Sequence, residues 1–251
     1  MAVSQKRRNI NKQLGINLPQ TYPLDFDPGI LRATLLKSLL NYVKKYVNAL
    51  AGKKVCFIGG GIGREIIQLS FSESFYAVNT DINFKLLSIA SCHYKNLNLE
   101  CSCIVADGAQ LPFKDGSFDI VFLYESLHHM DDLGLCLEES FRIGKTICIV
   151  DRRKCLVSKL GRRLGLIYRE VDGFYAYELD IKWFREWLKT RPYIHIVGFK
   201  RHFLYLLVIN KTIHNFLIRL PFICYLDIIC VKIINMLFGL LGNGIIIVAK
   251  K

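Results

Sequence analysis

Three glycines at alternate positions, Gly59, Gly61 and Gly63, follow the apolar run Val55-Cys56-Phe57-Ile58, with Gly60 between the first two. Glycine has no side chain and enters left-handed backbone cheaply, so such a turn brings bare main chain close to a ligand. Behind it Ile62, Ile66 and Leu69 recur at helical spacing, with Arg64, Glu65 and Gln68 on the polar side. The turn therefore opens a helix whose unpaired N–H groups face the same ligand. A second strand-like run ends at Asp81, about 20 residues past the glycines. A carboxylate at that distance is placed to accept from both hydroxyls of an adenosine ribose. The alternative is a tight turn that binds nothing, and three features further along favour the nucleotide.

These residues need a sheet to hold them. Hydrophobic periodicity predicts strand 54–58, helix 62–71, strand 75–79, helix 84–96, strand 101–105, strand 118–123, helix 131–142 and strand 146–150. Asn83 is the expected N-cap of the helix after Asp81. Strand–helix alternation implies a parallel sheet with helices on both faces and ligands at the C-terminal strand ends. A helix is expected within 30–50, a tryptophan-bearing helix over 181–189, a strand pair at 193–199 and 202–209, and a last strand at 244–249. Residues 1–52 are read as a lead-in with a helix, and residues 53–251 as one domain. Within that domain, 53–151 is the core, 152–243 carries additions on the acceptor side, and 244–250 supplies the last strand.

A chain of 251 residues with 52% hydrophobic residues can bury a sizeable core. Of the nine cysteines, Cys56, Cys101, Cys103 and Cys148 lie in expected core strands, where a thiol packs as a small apolar group, and a reducing cytosol fits. The net charge of +13 is concentrated before residue 55 and in the run Arg152, Arg153, Lys154, Lys159, Arg162, Arg163. Such charge suits an anionic partner, a lipid surface or nucleic acid, or simply a solvated basic face. The apolar stretch 213–240 is interrupted by Arg219, Pro221, Asp227 and Lys232, so it is not a clean membrane span. Packing on the domain or contact with a membrane interface are the two readings of it.

The region 53–151 resembles the class I S-adenosylmethionine-dependent methyltransferases, in particular those with a type 11 methyltransferase domain. The resemblance rests on the glycine loop, on Asp81, on Ala106-Asp107-Gly108-Ala109-Gln110-Leu111-Pro112-Phe113 and on Asp115-Gly116-Ser117-Phe118-Asp119-Ile120-Val121. Leu127-His128-His129-Met130 and Glu139-Ser140-Phe141-Arg142 extend it. It implies a Rossmann-like α/β fold, a doubly wound sheet of seven strands with an antiparallel last strand, and S-adenosyl-L-methionine as cofactor. By the same resemblance Gly59, Gly60, Gly61 and Gly63 cradle the methionine end, Asp81 and Ile82 meet the ribose, and Asp107 with Gly108 reads adenine. Tyr124 and Glu125 then lie beside the sulfonium.

Methyl transfer needs chiefly that a nucleophile be aligned with the methyl group. A hydroxyl acceptor also needs a base, for which His128 and His129 are the candidates, against a purely structural histidine. The expected acceptor is a small or amphipathic molecule. The expected location is cytoplasmic, with an anionic membrane surface as a partner and nucleic acid less favoured. Two departures stand out: Phe57 occupies a position that is often acidic in the family, and the Pro-Gly-Gly turn before the fifth strand is replaced by Arg142-Ile143-Gly144-Lys145. The rival enzyme class, a nicotinamide-dependent oxidoreductase, requires a third glycine where Glu65 or Ile66 stands. A non-catalytic basic protein at a membrane or on RNA is the third reading.

Overall fold

The computed structural model describes residues 41–163, 178–202 and 242–251. The expected lead-in over 1–28, most of a strand at 202–209 and the apolar stretch 213–240 lie outside the described residues. A helix covers 41–47 (α1). It is followed by β1 (Lys54–Ile58), α2 (Arg64–Ser70), β2 (Tyr76–Asp81), α3 (Phe84–Asn96), β3 (Cys101–Val105), β4 (Phe118–Tyr124) and α4 (Leu133–Ile143). Then come β5 (Gly144–Arg152), α5 (Leu156–Arg163), α6 (Ile181–Lys189), β6 (His195–His202) and β7 (Gly244–Lys250).

The seven strands form one sheet in the order β3-β2-β1-β4-β5-β7-β6. The pairs among β1 to β5 are parallel, and β7 runs antiparallel to both β5 and β6. Why β1 and β5 read as unbroken apolar runs is plain from the packing. Val55 and Phe57 enter one core with Val43, Val47, Ile66, Leu69 and Tyr94, beneath α1, α2 and α3. Cys56 and Ile58 enter a second core with Leu137, Phe141, Phe184 and Trp187, beneath α4 and α6. With both faces covered, alternate side chains find apolar neighbours on either side. Thiols in or against these cores behave accordingly: desolvation pushes the partly buried Cys101 and the buried Cys136 up to about 12.

Expected boundaries shift in two informative places. The second strand runs through Asp81, so the acid is the strand's own last residue. The fifth begins at Gly144, directly after α4, because that glycine lets helix and strand approach; a methyl there would lie 2.5 Å from Val121 Cγ2. The basic run also contains a helix that periodicity did not mark, α5.

Candidate active site

Gly59, Gly61 and Gly63 all have positive φ (68°, 52° and 76°), which accounts for their alternate spacing. Their surroundings differ. A methyl at Gly63 would lie 1.7 Å from the Tyr94 hydroxyl oxygen, and one at Gly60 would lie 2.2 Å from Asn79 Oδ1. Asn79 donates to Gly61 O (3.1 Å) and to the Tyr94 hydroxyl (3.0 Å), so a buried polar pair underlies the loop. Among the described residues, a methyl at Gly61 would meet nothing closer than Asp81 Oδ2 and Leu86 Cδ1, both at 4.0 Å. Gly60 and Gly63 therefore serve packing, whereas Gly61 fronts open space beside the acid. Ile66, where a nicotinamide fingerprint would need glycine, is buried in the core.

Asp81 faces that space from the end of β2. Its Oδ2 accepts from Gly61 N (2.9 Å) and its Oδ1 from Asn83 N (2.8 Å). Ile82 N–H also bonds this carboxyl, and a carboxylate has about four acceptor directions in all. Burial pushes the Asp81 pKa up, against the pull of these backbone donors. Ile82 is half-buried next to it, and Asn83 caps α3 as expected, accepting from Lys85 N and Leu86 N.

Asp107 and Gly108 follow β3. Asp107 Oδ1 accepts from Ala109 N (3.1 Å). Gly108 is buried, and a methyl on it would lie 3.0 Å from Met130 Sδ and 3.2 Å from Cys136 Sγ. The loop beyond is tied down by one guanidinium. Arg142 donates to Glu139 Oε1 (2.6 Å), Glu139 Oε2 (2.8 Å), Phe113 O (2.6 Å), Leu111 O (3.0 Å) and Asp115 Oδ1 (2.9 Å). Glu139 Oε2 in turn accepts from Leu111 N (2.7 Å). Arg142 holds the Glu139 carboxyl below its ordinary range. The stability this adds is present above that ordinary range and is lost as pH falls through the depressed value. Arg142→Leu is expected to cost about 3 kcal/mol in urea unfolding, near the upper end for a network residue. Arg142→Lys should recover little, since an ammonium cannot present a planar fork.

The end of β4 brings the remaining candidates together. Tyr124 pairs with Val150 and packs partly on the first core. Glu125 adopts φ 45° and donates its N–H to Val150 O (2.7 Å), so the chain turns sharply out of the strand here. Among the described residues the buried side-chain oxygen of Ser126 has no hydrogen-bond partner, and it lies 3.5 Å from where a Gly59 methyl would stand. Met130 Cε is 3.2 Å from that same point, so Met130 touches both the glycine turn and Gly108. Ser126 carries no signal in the sequence, and Met130 enters only as the end of the Leu127-His128-His129-Met130 motif, without a role.

His128 lies in the short 3₁₀ turn Leu127–His129. It is 4% exposed, and its partner is a carboxylate rather than a carbonyl: Nδ1 lies 2.6 Å from Asp151 Oδ1, with Asp151 itself 1% exposed. Asp151 Oδ2 also accepts from His128 N (3.3 Å) and Oδ1 from Arg152 N (2.7 Å). A carboxylate on Nδ1 keeps the proton there and leaves Nε2 as the basic nitrogen. The His129 ring lies against it, with centroids 4.1 Å apart. Phe57, by contrast, contributes no polar group to the site. Its ring stacks on Phe122 at 5.1 Å inside the core.

Residues 57–147 match the model of the methyltransferase domain family. The chain is 24% identical over 118 residues to O-methyltransferase rstn1 of Aspergillus nomiae, covering 45% of this chain and 52% of that protein. It is 27% identical over 146 residues to demethylmenaquinone methyltransferase of Oceanobacillus iheyensis, covering 55% and 58%. The chain thus spans little more than half the length of these two curated relatives. Among solved structures, magnesium protoporphyrin IX methyltransferase from Synechocystis, with bound SAH, superposes with a TM-score of 0.60. The match covers all of this chain and 94% of that one at 15% identity, a likeness of fold. The domain match is thus confined to residues 57–147, and the likeness to solved methyltransferases is one of fold.

Proposed function

We propose that this protein transfers the methyl group of S-adenosyl-L-methionine to a small or amphipathic acceptor. The observation that carries this reading is the open cradle at Gly61, faced by an Asp81 carboxylate anchored to the loop's own N–H. The residues present fit the cofactor. The bare turn suits its methionine end, Asp81 its ribose hydroxyls and Asp107 its adenine amine. The orphaned Ser126 oxygen supplies a polar contact of the kind that Phe57 cannot. When bound, the cofactor supplies a sulfonium that activates its methyl group. The protein's part is to align the acceptor and keep competing water away. Tyr124 and Glu125 stand where the β4 end meets that space. For a hydroxyl acceptor, His128 is the base, oriented by Asp151, and His129 packs beside it. Residues 53–251 form one methyltransferase domain, with 1–52 leading into it.

Calorimetric titration of the full chain with S-adenosylmethionine and, separately, with NAD tests the reading. Binding of the first alone is expected, and binding of NAD alone would overturn it. Acceptors are then sought by label transfer to phenolic and quinone-like compounds. On a hydroxyl acceptor, His128→Gln is expected to lower kcat by about 10²-fold or more and to abolish the acidic limb of the pH–rate profile. Cofactor affinity should be unchanged. A loss of kcat with the pH profile retained would reduce His128 to a structural role.

A further inference from the structure

The chemistry above makes no use of α5, which leaves the ligand end of the sheet a few residues after Asp151. Its inner side is Ser158, buried, whose Oγ lies 2.9 Å from Glu178 Oε2. Its outer side is different. Leu156 is 82% exposed and Leu160 57% exposed, one turn apart on the same face. Lys159 and Arg163 are exposed beside them, each three residues beyond a leucine. Among the described residues, the first two acidic groups after the helix are turned elsewhere. Glu178 meets Ser158, while Asp180 caps α6 and pairs with Lys154 at 3.3 Å. Two large apolar groups standing in solvent between cations are poorly matched to water. They are well matched to a headgroup layer, where apolar tips enter the acyl boundary and cations meet anionic lipid.

We propose that α5 docks this protein on an anionic lipid surface through Leu156 and Leu160, with Lys159 and Arg163 at the headgroups. The inference does not depend on the methyltransferase reading, but it gives that reading a consequence. Because α5 follows β5 at the end of the sheet that bears Asp81 and the His128–Asp151 pair, docking there holds the site against the layer in which an amphipathic acceptor concentrates. An RNA partner would use the cations and leave the leucines idle.

The test is co-sedimentation of the full chain with phosphatidylcholine vesicles, with and without phosphatidylglycerol, at low and high salt. A gel-shift assay with RNA runs in parallel. Binding is expected to need the anionic lipid and to weaken with salt. Leu156→Glu with Leu160→Glu, and separately Lys159→Glu with Arg163→Glu, should each lower partitioning by about tenfold or more. All four side chains are exposed, so matched thermal melts and unchanged calorimetric titration with S-adenosylmethionine are expected. Equal binding of wild type and leucine variant would overturn the proposal. So would equal binding to neutral vesicles, or RNA binding without vesicle binding. Failure of the cofactor titration alone would instead overturn the proposed activity.

Discussion

Gly63→Ala is expected to prevent stable folding, whereas Gly61→Val is expected to fold and to lose its cofactor. Both positions have positive φ, so each substitution carries about 1–2 kcal/mol of left-handed backbone strain. The difference lies in what surrounds them. A methyl at Gly63 would stand 1.7 Å from the Tyr94 oxygen, and Tyr94 is a fully buried side chain held by Asn79. Relieving that overlap must displace α3 or the turn, adding roughly 1–3 kcal/mol and breaking a buried hydrogen-bonded pair. At Gly61 the added atoms enter the cradle itself. Urea unfolding should show Gly63→Ala severely destabilised and Gly61→Val only mildly so. Calorimetry on Gly61→Val should show no cofactor binding. Wild-type affinity in that variant would mean that the cradle is not the binding site.

The second large effect is at Asp81. Asp81→Ala removes two charge-assisted hydrogen bonds expected at the ribose, each worth roughly 1.5–3 kcal/mol. Cofactor affinity should fall by about 100-fold or more. The fold is affected as well, because the same carboxylate satisfies Gly61 N and Asn83 N. A destabilisation of about 1–3 kcal/mol is expected alongside the lost affinity. The pH dependence follows from burial, which raises the Asp81 pKa. Ribose hydroxyls favour the ionised form, so affinity is full above the raised value and falls as pH drops through it, beginning above the ordinary aspartate range. For stability the sign reverses. Burial penalises the charge, so this carboxyl's contribution becomes less favourable as pH rises from its ordinary value through its raised one. Unchanged affinity in a folded Asp81→Ala variant would sink the assignment.

Much of this arrangement is legible in the chain because local constraints and global role coincide. Alternate glycines mark alternate positive φ angles, and an acid closing a strand marks the strand's ligand end. The runs at 54–58, 84–96, 101–105 and 181–189 fall where periodicity puts them, since burial on one helix face or both sheet faces writes its own period. What is not legible depends on partners distant in sequence. Nothing near His128 announces Asp151, which reaches it only because β4 and β5 are neighbours. Tyr94 lies 31 positions beyond Gly63 yet makes that glycine indispensable. The helix α5 was hidden because its charges dominate its two leucines. Ser126 and Met130 gain meaning only from what the turn brings beside them.

The strand order has a bearing on how the chain acquires its shape. A ribosome delivers β1 to β5 first, and these five can assemble through successive parallel crossovers. Among the described strands β6 touches only β7, and β7 emerges last. Until then β5 presents an unpaired apolar edge formed by Ile147, Cys148 and Ile149, and β6 has no place in the sheet. Insertion of Gly244–Lys250 between two strands already made is thus the closing step, one that joins segments far apart in sequence and is correspondingly slow. The interval before it is when an exposed edge invites pairing with another chain. Edge pairing between nascent copies is therefore expected chiefly before β7 is in place.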